Sequence, residues 1–235
     1  MTDIGTNLAS IRQRIAAAEA RYGRPAGSVH LLAVSKTWPA SRLREAFAAG
    51  QRSFGESYIQ EAKAKMAALD GLEVEWHFIG PIQSNKTRDI AALCQWVHSV
   101  DRFKIARRLH EQRPAHLPPL QVCLQVNISG EASKGGISPA AMDTVRALAD
   151  AVAGLSRLRL RGLMAIPAPA EAFDAQRTAF RRLRALQEML IAAGHSLDTL
   201  SMGMSNDLEA AIAEGATIVR VGRAVFGERR MKDEG

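Results

Sequence analysis

TLSMGMSNDLEAAIAEGATIVRVGRAVFG, residues 199–227, is the stretch whose reading decides the fold. Two short apolar runs, 199–204 and 217–222, flank a helical stretch over 205–214. Strand, helix and strand in that order require a crossover connection, so the two strands run parallel. The same alternation extends back along the chain. Strand patterns fall at 30–35, 52–56, 75–80, 96–101, 120–128 and 159–166, and helical patterns at 39–49, 57–69, 84–92, 102–113, 138–153 and 172–193. With the pair in the quoted stretch this makes eight strands. The sequence predicts an α/β fold, a single (β/α)8 TIM-like barrel over residues 1–235, with an extra N-terminal helix at 5–22 marked by Leu8, Ile11 and Ile15. The patterns at 52–56 and 96–101 are the weakest, and without them a doubly wound sheet would fit. PAHLPP, 114–119, reads as a stiff loop, and no low-complexity segment marks a second domain.

Composition narrows the function classes. Hydrophobic residues make up 47% of the 235 and charged residues 23%, as in an ordinary globular protein. The N-terminus has no long apolar segment of the signal-peptide type, and no apolar run reaches the length of a membrane span. Cys94 and Cys123 are the only cysteines and form no CxxC, which removes a zinc pattern and a disulfide framework and fits a cytoplasmic location. The net charge of +7 raises the question of nucleic acid. The arginines lie along amphipathic helical stretches such as 101–110 and 181–190, without a nucleic-acid motif, so solvated helix faces account for them. Neither nucleic acid nor a membrane is an expected partner.

Barrels of this kind carry their chemistry at the C-terminal ends of the strands. Lys36 follows the apolar run HLLAV. Glu56 and Ser57 follow the second strand, Gly80 the third and Asp101 the fourth. Asn127 ends the fifth, Met164 and Pro167 close the sixth, Met204 and Ser205 follow the seventh, and Gly222 and Arg223 the eighth. A lysine there either marks the emergence into solvent or is a desolvated amine able to form a Schiff base. Ser205 or Asn206 is the expected N-cap of the helix over 205–214, and the helix start also suits a phosphate. The backbone N–H groups of Gly222 and Arg223 suit the same anion. Arg220, between Val219 and Val221, points to the face opposite the valines and so into the barrel. There it either pairs with an interior carboxylate, Glu56 being the candidate, or faces a ligand. His77 and His98 read as hydrogen-bonded core histidines. A strand-end lysine, a phosphate site across from it and an interior arginine together suggest pyridoxal 5′-phosphate, PLP, with the arginine at the pyridine nitrogen.

The stretches LLAVSKTWP, FGESYIQEAKAK, WHFIGPIQSNK, VNISGEASKGGI, GLMAIP and SMGMSNDLEAAIAEGATIVRVGRAVFG, in that order, resemble the pyridoxal phosphate homeostasis proteins, a family similar to the N-terminal barrel of alanine racemase. The resemblance implies a covalent aldimine on Lys36 and a phosphate held by Ser205, Gly222 and Arg223, with Ser201 as a further contact. It also implies Arg220 at the ring nitrogen, with Met164 and Met204 lining the pocket. Two positions depart from the family pattern: Ser57 stands where asparagine is usual and Arg223 where threonine is usual. Binding is expected to survive both. The implied role is intracellular buffering of PLP and its supply to PLP-dependent apoenzymes by a monomer. The racemase second domain and its tyrosine are not expected, so no dedicated reaction is. The enzyme alternative is a weak PLP-dependent racemase or other Schiff-base enzyme.

Overall fold

β1 (His30–Val34) pairs with β2 (Ser53–Glu56) on one side and with β8 (Ile218–Val221) on the other, and this double pairing closes the sheet. The computed structural model describes residues 3–131, 135–138 and 142–228. Among them, eight parallel strands form a closed barrel in sequence order. The others are β3 (Glu75–Phe78), β4 (Trp96–Val100), β5 (Leu120–Gln125), β6 (Leu158–Met164) and β7 (Thr199–Ser201). The weak patterns at 52–56 and 96–101 are therefore strands, and the doubly wound alternative falls.

Helices cover the outside: α1 (Ile4–Arg21), α2 (Ala40–Ala48), α3 (Ile59–Ala68), α4 (Thr87–Leu93), α5 (Phe103–Gln112), α6 (Met142–Ala153), α7 (Phe173–Ala192), α8 (Leu208–Ala213) and a short α9 (Arg223–Phe226). α1 is the added helix. Asp3 caps it by accepting from the backbone N–H groups of Gly5 and Thr6. Ile4, Leu8, Ile11, Ile15 and Ala18 recur at helical spacing and are buried. Each large one contributes roughly 1.5–3 kcal/mol on burial. Polar residues flanking this stripe tie α1 to the end of the barrel. The Asn7 side chain donates to Val225 O at 2.9 Å, and Arg14 pairs with Glu209 and donates to Ser205 O at 3.2 Å.

Boundaries differ from the sequence expectations where polar chemistry intervenes. The strand expected over 120–128 stops at Gln125, because Val126 and Asn127 turn to pair with Ile137. The helix expected from 138 is described from Met142; residues 139–141 lie outside the described residues. The helix expected over 205–214 starts only at Leu208, with Asp207 as its N-cap, so neither Ser205 nor Asn206 is the cap. Asp207 turns its carboxylate back to accept from the Met204 N–H at 2.5 Å, which closes a turn before the helix begins.

The apolar core has two compartments. The large one lies between the strands and the surrounding helices. The small one fills the inside of the barrel and contains Leu32, Trp96, Cys123, Met164 and Ile218. Barrel interiors of this type are ordinarily filled by layers of branched apolar side chains. Here the remaining interior volume is taken by His77, His98, Ser201 and Arg220, all buried.

Candidate functional site

Lys36 stands two residues past β1, half-buried, in a segment held on both sides. The Ser35 hydroxyl donates to Glu56 Oε1 at 2.5 Å, and Ser35 O accepts from Lys65 Nζ at 2.7 Å. Lys65 also reaches Glu56 Oε1 at 2.7 Å and Glu61 Oε1 at 2.6 Å. Glu61 in turn accepts from the Thr37 backbone N–H. Thr37 has φ of +70°, unusual for a β-branched residue, and this bond helps hold it there. Two helix residues four apart on α3 thus grip the residues on either side of Lys36. Glu56 does not pair with Arg220, one of the two readings the sequence left open for that arginine; Lys65 takes it, because β2 runs beside β1 and leads into α3. Burial pushes the Glu56 carboxyl up, with Lys65 opposing. Its Oε2 has no hydrogen-bond partner among the described residues.

Arg220 lies on β8, where Leu32 of β1 is its register partner. It is 4% exposed and points into the barrel, as alternation predicted. One guanidinium nitrogen donates to Ser201 Oγ at 2.8 Å and another to Ala165 O at 2.8 Å. Burial lowers its pKa to about 10, with Asp207 and the Cys123 thiol opposing, so it stays cationic at neutral pH. Behind it, Ser201 Oγ lies 2.8 Å from His98 Nδ1, and His98 Nε2 lies 2.9 Å from His77 Nδ1. His77 Nε2 is 2.9 Å from Glu75 Oε2. Both histidines are hydrogen-bonded core residues, as read from the sequence.

The ends of β7 and β8 provide backbone. Gly203 has φ of +93°, and a Cβ there would meet the Ala211 methyl at 2.5 Å, so only glycine fits the turn into α8. At Gly222, a Cβ would stand 3.2 Å from Val34 O. Gly222 opens α9 with no side-chain hydrogen bond capping it, so the first N–H groups of α9 are not taken by a cap. Arg223 is exposed and Ser205 is half-buried on the neighbouring loop. A side chain at either glycine would therefore crowd the ends of these strands.

The expected site residues divide into two depths. Lys36, Met204, Ser205 and Gly222 lie on the segments past β1, β7 and β8, and Arg223 opens α9, all at the C-terminal mouth. Met204 is exposed there. Met164, Ser201 and Arg220 lie deeper, inside the barrel, with Met164 in the interior apolar cluster. Sequence reasoning missed Lys65 and Glu61, whose one available signal is their four-residue spacing on α3. Two cavities, of about 360 and about 190 Å³, lie at the opposite end, lined by residues such as His30, Leu31 and Ser53 from the starts of β1 and β2. Burial raises both cysteine thiols to about 12, which leaves them unreactive. Among the described residues no cluster of His, Cys, Asp and Glu is placed to hold a metal, and no helix is long and apolar enough to cross a membrane.

Comparison with known proteins adds three findings. The model of the alanine racemase N-terminal domain matches residues 6–230. The pyridoxal phosphate homeostasis protein of Pseudomonas aeruginosa is 61% identical, covering 97% of each chain, and that of Escherichia coli K12 is 53% identical, covering 97% of this chain and 98% of the other. Among solved structures, PipY of Synechococcus elongatus with PLP bound superposes with a TM-score of 0.81 at 37% identity, over 95% of this chain and all of PipY, 100%.

Proposed function

We propose, from the premise that the chain belongs to the alanine racemase N-terminal domain family and stands among its pyridoxal phosphate homeostasis proteins, that it binds PLP covalently and buffers it. One juxtaposition carries the reading: a clamped lysine segment past β1 beside an uncapped helix start and a buried arginine on the adjoining β8. When bound, PLP supplies an aldehyde that condenses reversibly with an amine and a ring that withdraws electrons. Lys36 supplies the amine. The N–H groups of Gly222 and Arg223, with Ser205, hold the phosphate. Arg220 would donate to the ring nitrogen, and Met164 and Met204 would contribute apolar wall. Ser201 acts through Arg220, since its hydroxyl is engaged there and at His98.

This donor set favours storage over catalysis. A guanidinium has no acceptor and does not give up its proton at neutral pH, so it leaves the ring nitrogen unprotonated and the electron sink weak. We read the chain as a non-catalytic single-domain carrier of the cytoplasm, acting as a monomer. Exposed Tyr58, Ile166 and Met204 on the loops after β2, β6 and β7, with Phe103 opening α5, give its mouth an apolar rim. That rim supports a transfer role toward PLP-dependent apoenzymes.

Borohydride reduction of the PLP-loaded protein followed by peptide mapping tests the core of this reading. The expected result is a pyridoxyl adduct on the Lys36 peptide; an adduct confined to other lysines, or none, would overturn it. Reconstitution of an apoenzyme tests transfer: equal rates with the holoprotein and with the same concentration of free PLP would remove it. Deuterium exchange at Cα of an amino acid, dependent on Lys36, would replace the carrier with a racemase-like enzyme.

A further inference from the structure

A line of polar groups crosses the barrel interior from the N-terminal edge of β3 to the underside of the pocket: Glu75, His77, His98, Ser201, Arg220. Donor chemistry orders it. Arg220 can only donate, so Ser201 Oγ accepts from it; at the other end the Glu75 carboxylate can only accept, and through two neutral rings this leaves Ser201 to give its own hydrogen to His98 Nδ1. A neutral His98 then carries its proton on Nε2 and donates to His77 Nδ1. His77 likewise carries its proton on Nε2 and donates to Glu75 Oε2. Glu75 is a carboxylate acceptor, held further by Ser53 Oγ at 3.0 Å and Trp96 Nε1 at 3.2 Å. Every link has one direction, and every ring nitrogen is used.

We propose that Glu75, His77, His98 and Ser201 are positioning residues, a directed hydrogen-bond column that fixes the orientation of Arg220 toward the pocket. Packing supports this. The His77 ring stacks on Trp96 with 6° between planes, and His98 meets His77 edge-on at 5.1 Å, so neither ring is free to flip. Both imidazoles are driven toward the neutral form by burial, which the donor order requires. A column of four polar residues in an interior that barrels usually fill with aliphatic layers needs a reason beyond packing. An apolar replacement would leave Ser201 free to rotate and Arg220 with one fixed acceptor, Ala165 O.

The effect on the cofactor rests on the proposed function; the column itself does not, and the test separates the two. NMR of the ligand-free protein, labelled with 15N at histidine, reads the tautomers. The expected result is that both rings are neutral and protonated on Nε2 at pH 7. A proton on Nδ1 of His98, or a charged ring, would overturn the column. PLP affinity reads the consequence. Ser201→Ala and His98→Leu are expected to weaken binding about tenfold, the scale of one net hydrogen bond, while Ser201→Thr, which keeps the hydroxyl, stays within about twofold of wild type. Val122→Ala, in the outer core, controls for lost stability and is expected to leave both readouts unchanged. Wild-type affinity in a folded Ser201→Ala protein would overturn the positioning role. So would equal weakening in the Thr and Ala variants. If the wild type binds no PLP, the proposed function fails and the tautomers alone decide the column.

Discussion

Two carboxylates are buried against cations in this barrel, and they are tuned in opposite directions. Glu214, at the end of α8, faces three arginines of α7. Arg177 Nε is 2.7 Å away, Arg181 3.1 Å and Arg184 3.1 Å. Burial pulls its carboxyl up, but the arginines outweigh it and hold the pKa below the ordinary value. Glu56, at the end of β2, has Lys65 and the Ser35 hydroxyl on one oxygen and no partner on the other, and burial wins. The arginines around Glu214 keep partial access to water, whereas Lys65 is as buried as Glu56. The Glu214 network binds two helices together and lies on the outer layer; its Oε2 also lacks a hydrogen bond, although Arg184 stands 3.1 Å from it. The Glu56 network, with a single cation to offset burial, lies beside Lys36.

Removing the cation from the Glu56 network has the largest expected effect. Lys65→Ala strands Glu56 in the interior and releases Ser35 O and Glu61, so we expect a loss of about 3–5 kcal/mol in denaturant unfolding. Glu214→Ala leaves arginines that can turn to solvent, and we expect a smaller loss of about 1–2 kcal/mol in the same assay. Equal losses would break the distinction.

Acid sharpens it through the sign of the response. A lowered carboxyl pKa, as at Glu214, gives stability that is complete above the unfolded value of 4.5 and is lost as pH falls through the folded value. A raised one, as at Glu56, gives stability that is present below 4.5 and is lost as pH rises through the folded value. The stability difference between wild type and Glu214→Gln should therefore grow with pH, and that for Glu56→Gln should shrink. Parallel slopes in a urea series from acid to neutral pH would contradict this. The interior column adds its own acid response. Glu75, lowered to about 2 chiefly by its bond to His77, loses its contribution between 4.5 and about 2, and Glu75→Gln should remove that part of the unfolding profile.

The smallest effects are expected outside both networks. Ser57→Asn and Arg223→Thr, which restore the residues usual in the family, should change PLP affinity by no more than about threefold, under ~1 kcal/mol. A steep fall measured by equilibrium titration would show that the pocket of this chain has been rebuilt around Ser57 and Arg223.

The βαβ alternation around residues 199–227 carried the barrel because parallel strands buried on both faces must be apolar runs, and crossover helices must separate them. The same logic exposed Lys36 and Arg220: a cation at the end of an apolar run, and another inside one, stand out against their neighbours. Gly222 was legible too, as a close backbone approach at the end of the last strand, whereas the need for glycine at 203 came only from the structure. The legible features are local in sequence, and the sequence by itself determined them.

Partners were decided only by the tertiary structure. Lys65 and Glu61 look like ordinary charges on an amphipathic helix, and only the seating of α3 against β1 and β2 buries one and turns both toward Ser35 and Thr37. Glu56 and Arg220 look like a natural pair, but Lys65 takes Glu56 and Ser201 and Ala165 take Arg220. The line from Glu75 to Arg220 joins β3 and β4 to β7 and β8 across the barrel. A hydrogen bond needs partners within about 3 Å, and only closure and register bring residues 98 and 201 that close.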